Sequence, residues 1–403
     1  MSGTEQIEGV VQMGKIAGCG RLSLIPVGVR RRARVAAALL LLLGSVGGVL
    51  AAGMGSASGE PPPSLARGRA LLAGAGDLLY GIRCTSAANC WAVGNTSDNL
   101  TEALHWNGHQ WSQVTTPNPG DYTDNLFDVA CTSAADCWAV GTAAYSNFTA
   151  PNMALHWDGR TWSLVPTPSP YTGEGFNELL SVTCISPGDC WAVGRDSVGG
   201  QALHWNGHRW SLVPTPDAGL SGVRCISAAN CWAVGQGRAN AVVHWNGRTW
   251  AIVAAPVPGT ASELNSIRCT SAANCWAVGG YGAGRIYRSE AVRWDGHQWS
   301  QVATPKPRGS VADPRGIGSV ACTSAADCWA VGPAVFPLGS MANEAVHWDG
   351  HSWSYVTMPS PALGENPDLQ AITCTSTANC WAVGFDARGD QVLHWNGHTW
   401  SMA

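Results

Sequence analysis

The sequence is short of charge, of tyrosine and phenylalanine, and of any group of side chains that recurs as a catalytic set. Charged residues make up 12% of the 403 positions. Eight of the 23 basic residues fall within the first 77, which leaves the rest of the chain with 15 basic against 23 acidic side chains, a balance of −8. That deficit of positive charge argues against a nucleic-acid or anionic-membrane partner for the body of the chain. Seven tyrosines and five phenylalanines stand beside 21 tryptophans, so the aromatic content is dominated by one residue type. No cysteine is left over in the body of the chain, and no carboxylate recurs in sequence beside the histidines. Neither a metal nor a cofactor is expected.

What is present is a repeat. Seven times the chain reads Cys-x5-Cys-Trp-Ala-Val-Gly, a variable gap, then Trp-(Asn/Asp)-Gly-x-x-Trp, beginning at Cys84, Cys131, Cys184, Cys225, Cys269, Cys322 and Cys374. The period of 41 to 53 residues is that of one propeller blade. The expected fold is all-β: a seven-bladed β-propeller over 78–403 with four antiparallel strands per blade, the repeats starting near 79, 126, 179, 220, 264, 317 and 369. Such an array is one architecture whose core grows by stacking.

The cysteines reduce to Cys19 and seven pairs at one spacing: Cys84 with Cys90, Cys131 with Cys137, Cys184 with Cys190, Cys225 with Cys231, Cys269 with Cys275, Cys322 with Cys328 and Cys374 with Cys380. Each pair closes a short loop between two strands, where opposed residues lie near disulfide distance, so seven local disulfides are expected. Five intervening residues is not a zinc-knuckle spacing.

Disulfides imply export, and the N-terminus agrees. Arg30, Arg31, Arg32 and Arg34 precede an uncharged stretch from Val35 to Gly59 that contains Leu40 to Leu43 and ends in small residues. Residues 1–57 therefore read as a signal peptide or, uncleaved, as a single transmembrane anchor with the arginines inside. The flank before the apolar run is long, which makes Met13 a candidate start. Cys19 lies upstream of that run, where a lipoprotein cysteine would not be. Residues 58–77, with Pro61 to Pro63, read as a linker. The expected localisation is extracellular, secreted or anchored at the cell surface.

Within a repeat the strands are labelled A to D. In the first copy strand A runs about Leu79 to Cys84, B Cys90 to Gly94, C Ala103 to Trp106 and D His109 to Val114. The C-to-D link Asn107-Gly108 has the composition of a two-residue type I′ turn, which would set Trp106 opposite His109 and Leu104 opposite Trp111. One hairpin face would then carry Leu104, Trp106, His109 and Trp111. All 21 tryptophans fall at three positions per repeat, the first set being Trp91, Trp106 and Trp111. A side chain repeated at one strand position in every blade reads as inter-blade core, with Trp106 and its equivalents, next to the turn, more exposed. All eleven histidines lie in the C-to-D hairpin and read as structural.

Trp157-Asp158-Gly159-Arg160-Thr161-Trp162-Ser163 resembles the turn-and-tryptophan signature of Asp-box and kelch-like propeller repeats, one residue shorter than the usual Asp box. The whole array is similar to secreted bacterial Trp-rich propeller repeat proteins. The resemblance implies the propeller fold. Sialidases and galactose oxidase share such architectures, but with few tyrosines and no recognisable arginine triad neither activity is implied here.

The A-to-B and C-to-D turns keep constant length, whereas the B-to-C gaps and D-to-A links vary. In an up-and-down blade these two classes lie at opposite ends, so variation gathers on one rim, the usual place for recognition. The longest insertions bring Tyr145, Phe148, Tyr171, Phe176, Tyr281, Tyr287 and Phe336 to that rim, and these are the candidate ligand-binding residues. The expected function is non-catalytic binding of a glycan, a cell-wall polymer or a protein. A polysaccharide hydrolase or lyase is the alternative; it would need a facing pair among Glu174, Glu178, Asp196, Asp313, Glu344 and Glu365. A purely structural surface protein is the third reading.

Overall fold

The computed structural model describes residues 77–403 except 238, 285, 307, 312–315 and 362–364, together with the side chain of Leu338. The expected signal or anchor segment and all of the linker but Asp77 lie outside the described residues, as does Asp313. Among the described residues no helix is long and apolar enough to cross a membrane.

Seven antiparallel sheets follow one another along the chain, each in the order A-B-C-D. In the first blade these strands are Leu78–Ser86, Asn89–Asn95, Thr101–Trp106 and Trp111–Gln113. Six sheets have four strands; the third gains a fifth, because Thr149–Ala150 from the second blade's B-to-C loop pairs in parallel with Gly175 and Phe176. The fold is thus the seven-bladed propeller the repeat predicts.

Seven disulfides close the A-to-B hairpins, and each joins the partners expected from the spacing. Cys84 is bonded to Cys90, Cys131 to Cys137, Cys184 to Cys190 and Cys225 to Cys231. Cys269 is bonded to Cys275, Cys322 to Cys328 and Cys374 to Cys380. In every pair the two residues stand directly opposite each other on strands A and B, as Cys84 and Cys90 do, with Cα separations of 3.9 to 4.0 Å. The second cysteine of each pair, from Cys90 and Cys137 through Cys190, Cys231, Cys275 and Cys328 to Cys380, is 0% exposed. The bridges accord with an oxidising compartment.

Tryptophan supplies the inter-blade cement. Trp91, 0% exposed, packs against Trp157 at 4.8 Å and edge-on against Trp162 at 5.1 Å, both in the next blade. The same triad recurs around the ring and across the closing seam, where Trp381 meets Trp106 at 5.0 Å and Trp111 at 5.4 Å. Leu79, Ile82, Ala92 and Leu104 of the first blade bury against Val383 and Val392 of the seventh. The ring therefore closes by face packing, and among the described residues no strand is exchanged between the termini. Trp106 and five equivalents are half-buried, as their place beside the turn predicts, while Trp348 is fully buried.

The hairpin register differs from the two-residue reading. Trp106 stands opposite Trp111, His105 opposite Ser112 and Leu104 opposite Gln113, so the link is the four residues Asn107 to Gln110, strand D starts at Trp111, and His109 lies in the loop. The cause is the side chain of the first loop residue. In all seven copies the Asn or Asp Oδ1 accepts the backbone N–H groups two and three residues on, at 2.8 to 3.0 Å. This side-chain turn holds Asn107 at negative φ and leaves only Gly108, at φ 94°, in the left-handed region. A type I′ turn would need both residues there.

The histidines before the first hairpin tryptophan have recurring partners, which the sequence beside them does not show. Nε2 of His105, His156, His204, His244, His347 and His394 lies 2.6 to 2.9 Å from the Asn or Asp that precedes the second cysteine, namely Asn89, Asp136, Asp189, Asn230, Asp327 and Asn379. In three blades that partner is a carboxylate. It was hidden because strand B brings it alongside strand C from 14 to 20 residues away. The structural reading of these histidines stands: each ring stacks on its own blade's first tryptophan, as His105 does on Trp91 at 4.5 Å.

Candidate functional site

The topology puts all B-to-C loops and D-to-A links on one rim, opposite the disulfide-closed turns. Much of what looked like loop insertion there is ladder. In the fifth blade strands B and C extend to Asn274–Ala283 and Ile286–Trp294, pairing Tyr281 with Arg288 and Gly282 with Tyr287. In the sixth they run Asp327–Val335 and Met341–Trp348, joined through the short 3-10 turn Pro337–Gly339. The rim thus carries stiff β-ribbons.

The candidate aromatics divide among three places on this rim. Tyr145, Phe148, Tyr171 and Phe176 belong to adjoining loops of the second and third blades; Tyr281 and Tyr287 sit on the fifth-blade ribbon; Phe336 begins the turn on the sixth. Tyr287 is engaged within its blade, its hydroxyl donating to Glu263 Oε1 at 2.9 Å, and burial together with that carboxylate pushes its pKa up.

The second-and-third-blade group is built more elaborately. Phe148 is 78% exposed yet held at φ 64°, a left-handed conformation that bulky side chains rarely adopt. Three backbone bonds fix it there: Phe148 N to Tyr145 O at 3.1 Å, Tyr145 N to Thr149 O at 2.8 Å, and Gly175 N to Phe148 O at 2.8 Å. A Cβ on Gly175 would stand 2.3 Å from Ser197 Oγ and 2.7 Å from the Tyr171 ring, so any other residue there would displace those side chains. Beside it Phe176, 37% exposed, lies 5.8 Å from the Arg195 guanidinium carbon, and Arg195 is paired with Glu178 at 3.1 Å. Tyr145 is half-buried against the second blade's core.

Sequence reasoning missed Tyr122. It is 69% exposed on the D-to-A link that runs beside the Tyr145 loop, its N–H bonded to Ala144 O at 3.1 Å. The signal was available, because that link is among the long insertions.

Three of the expected rim carboxylates have partners. Glu178 pairs with Arg195 at 3.1 Å and Glu365 with Arg388 at 2.9 Å, while Asp196 accepts the turn N–H groups of Val198 and Gly199. Glu344 is fully buried in strand C, not on the rim. Strand C also buries Glu102 and Glu290 at 1% exposure; burial raises the Glu290 carboxyl to about 7, and burial together with the charge of Asp77 raises that of Glu102, which is coupled to Asp390.

Each blade's strand A has its inner edge on the central channel. In six of the seven a bulge after the leading leucine, as between Leu79 and Gly81, adds one residue. The added residues, among them Tyr80, Phe127, Leu180 and Gln370, line a channel-mouth cavity of about 400 Å³.

The fold is a β-propeller of the same general plan as YCF48. A structure described as YCF48 bound to D1 peptide superposes with a TM-score of 0.52 at 14% identity, over 79% of this chain and 91% of that one. YCF48 from Cyanidioschyzon merolae gives 0.51 at 16% identity, over 79% and 96%. A GH74 xyloglucanase from Xanthomonas campestris gives 0.56 at 15% identity, over 82% of this chain and 55% of that enzyme. At such identities the likeness concerns the fold alone. No protein-family profile matches the sequence, and no curated protein matches it.

Proposed function

We propose that the chain is an extracellular binding propeller, secreted or surface-anchored, that recognises an extended glycan or cell-wall polymer through the rim of its second and third blades. The observation that carries this reading is Phe148, an aromatic ring presented to solvent at the left-handed place of a turn that three backbone hydrogen bonds hold. The same five-residue turn recurs in the first and sixth blades with Asn99 at φ 65° and Gly339 at φ 82° in the left-handed place; a phenylalanine where asparagine or glycine would serve turns an exposed ring to solvent, and that choice of residue supports a ligand contact. Tyr122 and Phe176 extend the platform, and flat rings beside a charged side chain suit stacking on a sugar face.

A peptide is the second reading. It is favoured by the strand that the Phe148 loop already adds to the third blade, by the peptide named for one propeller of similar fold, and by the general use of strand addition in peptide capture. The hydrolase alternative needs two facing carboxylates; Glu178 and Glu365 are each paired with an arginine, and the two carboxyls that do act on each other, Glu102 and Asp390, have their oxygens buried at the seam of the first and seventh blades.

The test is binding of the purified, disulfide-intact chain to arrayed glycans and cell-wall fragments, beside a double variant carrying Phe148→Ala and Phe176→Ala. Saturable binding lost in the variant supports the reading. Binding that the variant retains would remove this rim segment from consideration.

A further inference from the structure

We propose that the central channel, at the disulfide end opposite the variable rim, is a binding site for a small oxyanion such as phosphate, held by Arg83, Arg224 and Arg268. The three occupy the same place in their blades, immediately before the first cysteine of strand A, and line one cavity of about 160 Å³. That volume holds a few waters or one tetrahedral anion.

A comparison of the seven repeats shows that packing does not require arginine there. The other blades place Ala130, Thr183, Ala321 and Thr373 at this position, opposite the same tryptophan of strand B. A guanidinium in blades one, four and five is therefore an addition to the scaffold. It is also an electrostatically unfavourable one. The Nε–H groups of Arg224 and Arg268 are buried and meet no acceptor among the described residues. Burial lowers the pKa of all three, and the charges compound it, Arg83 on Arg224 and both of those on Arg268.

The compensating anion within the wall is Asp128, whose charge favours that of Arg83 and leaves Arg224 and Arg268 without a comparable partner among the described residues. Its carboxylate accepts from Ser181 Oγ and Val182 N, each at 2.9 Å, and from its neighbour Val129 N at 2.8 Å. Clustered guanidiniums with unspent donors match the tetrahedral face of an oxyanion, which offers several acceptors at once and cancels their mutual repulsion. The site uses none of the candidate rim aromatics; its cavity shares Tyr80, Phe127, Leu180 and Gln370 with the channel mouth.

The test uses the disulfide-intact chain with inorganic phosphate and sulfate as free probes and a phosphoserine hexapeptide as a tethered one. Calorimetry and the anion-induced rise in Tm are read for the wild type, Arg224→Ala and Arg268→Ala, with Arg224→Thr as a second variant; alanine and threonine are the residues of the other blades, so the fold should tolerate them. The expected result is saturable binding of one phosphate per chain that either alanine variant weakens by at least about tenfold. Binding of the hexapeptide alone, lost in the same variants, would assign the oxyanion to a macromolecular ligand. No binding of any of the three probes, or binding that the substitutions leave unchanged, overturns the proposal.

Discussion

Replacing Glu290 by glutamine should make the protein more stable at neutral and alkaline pH and leave it unchanged in acid. Glu290 is 1% exposed in strand C of the fifth blade, where its Oε1 accepts from Asn240 Nδ2 of the fourth at 2.7 Å. Its other oxygen, and Asn240 Oδ1, have no donor among the described residues. Burial raises the carboxyl from 4.5 to about 7, the Asn240 bond opposing it. Between those values the folded protein keeps a proton that the unfolded chain has released, so stability falls as pH rises through the window and levels off above it. At about 1.36 kcal/mol per tenfold change in proton affinity the loss reaches about 3 kcal/mol by pH 7 to 8. Glutamine carries no such penalty, and blades three and seven already use it here: Gln201 accepts from Asn152 Nδ2 at 2.7 Å and donates back to Asn152 Oδ1 at 3.1 Å. The same return bond would satisfy Asn240 Oδ1. Urea unfolding of both proteins from pH 4 to 9, disulfides intact, gives the difference curve. It should be near zero at pH 4 and about 2–3 kcal/mol in favour of glutamine at pH 8. A flat difference, or a glutamine variant less stable at pH 8, would refute the reasoning.

Three further outcomes are expected. Removing one disulfide by Cys225→Ser together with Cys231→Ser, which opens a loop of sequence separation 6, should cost about 2 kcal/mol in urea unfolding; a loss well above that would mean the bridge also holds the native hairpin in shape. Phe148→Gly relieves the left-handed backbone and should raise stability by up to about 1 kcal/mol while abolishing rim binding, so a destabilised but binding variant would contradict both statements. Asp327, whose carboxyl is held below its usual range first by the hydrogen bond from His347, contributes stability present above the unfolded pKa and lost as pH falls. Asp327→Asn, the residue found in four other blades, should therefore flatten the acid limb of the stability profile, and unchanged acid sensitivity would show the pair to be inert.

The fold was legible because the repeat confines its apolar residues to strand positions that only stacking can bury. Trp91 and Trp111 at fixed places in every copy leave no other use for seven such sets, and their contacts across each seam bear this out. The disulfides were legible for the same reason, a spacing that recurs without a stray cysteine from Cys84 and Cys90 to Cys374 and Cys380. The hairpin register was not. Asn-Gly announces a turn but not its length, and here the asparagine side chain captures two backbone N–H groups and so stretches the loop to four residues. The histidine partners were equally hidden, since Asp136 and His156 meet only once strands B and C are paired.

Function is harder to read because the repeated positions are spent on packing, and whatever distinguishes this chain must lie where the copies disagree. Two kinds of disagreement exist. Loop lengths disagree openly, and they led to the rim and to Phe148, although not to Tyr122. Single side chains disagree quietly: an arginine instead of alanine or threonine before a cysteine looks like noise until strand A is seen to put all three on one channel. The same holds for Glu290 in place of glutamine. A scaffold of identical blades tolerates a residue that burial penalises only where the ring supplies a partner or where a ligand does. For Asn240 and Glu290 the partner is visible and half-satisfied; for the Nε–H groups of Arg224 and Arg268 none is seen among the described residues, and that asymmetry is the reason the first leads to a stability prediction and the second to a binding one.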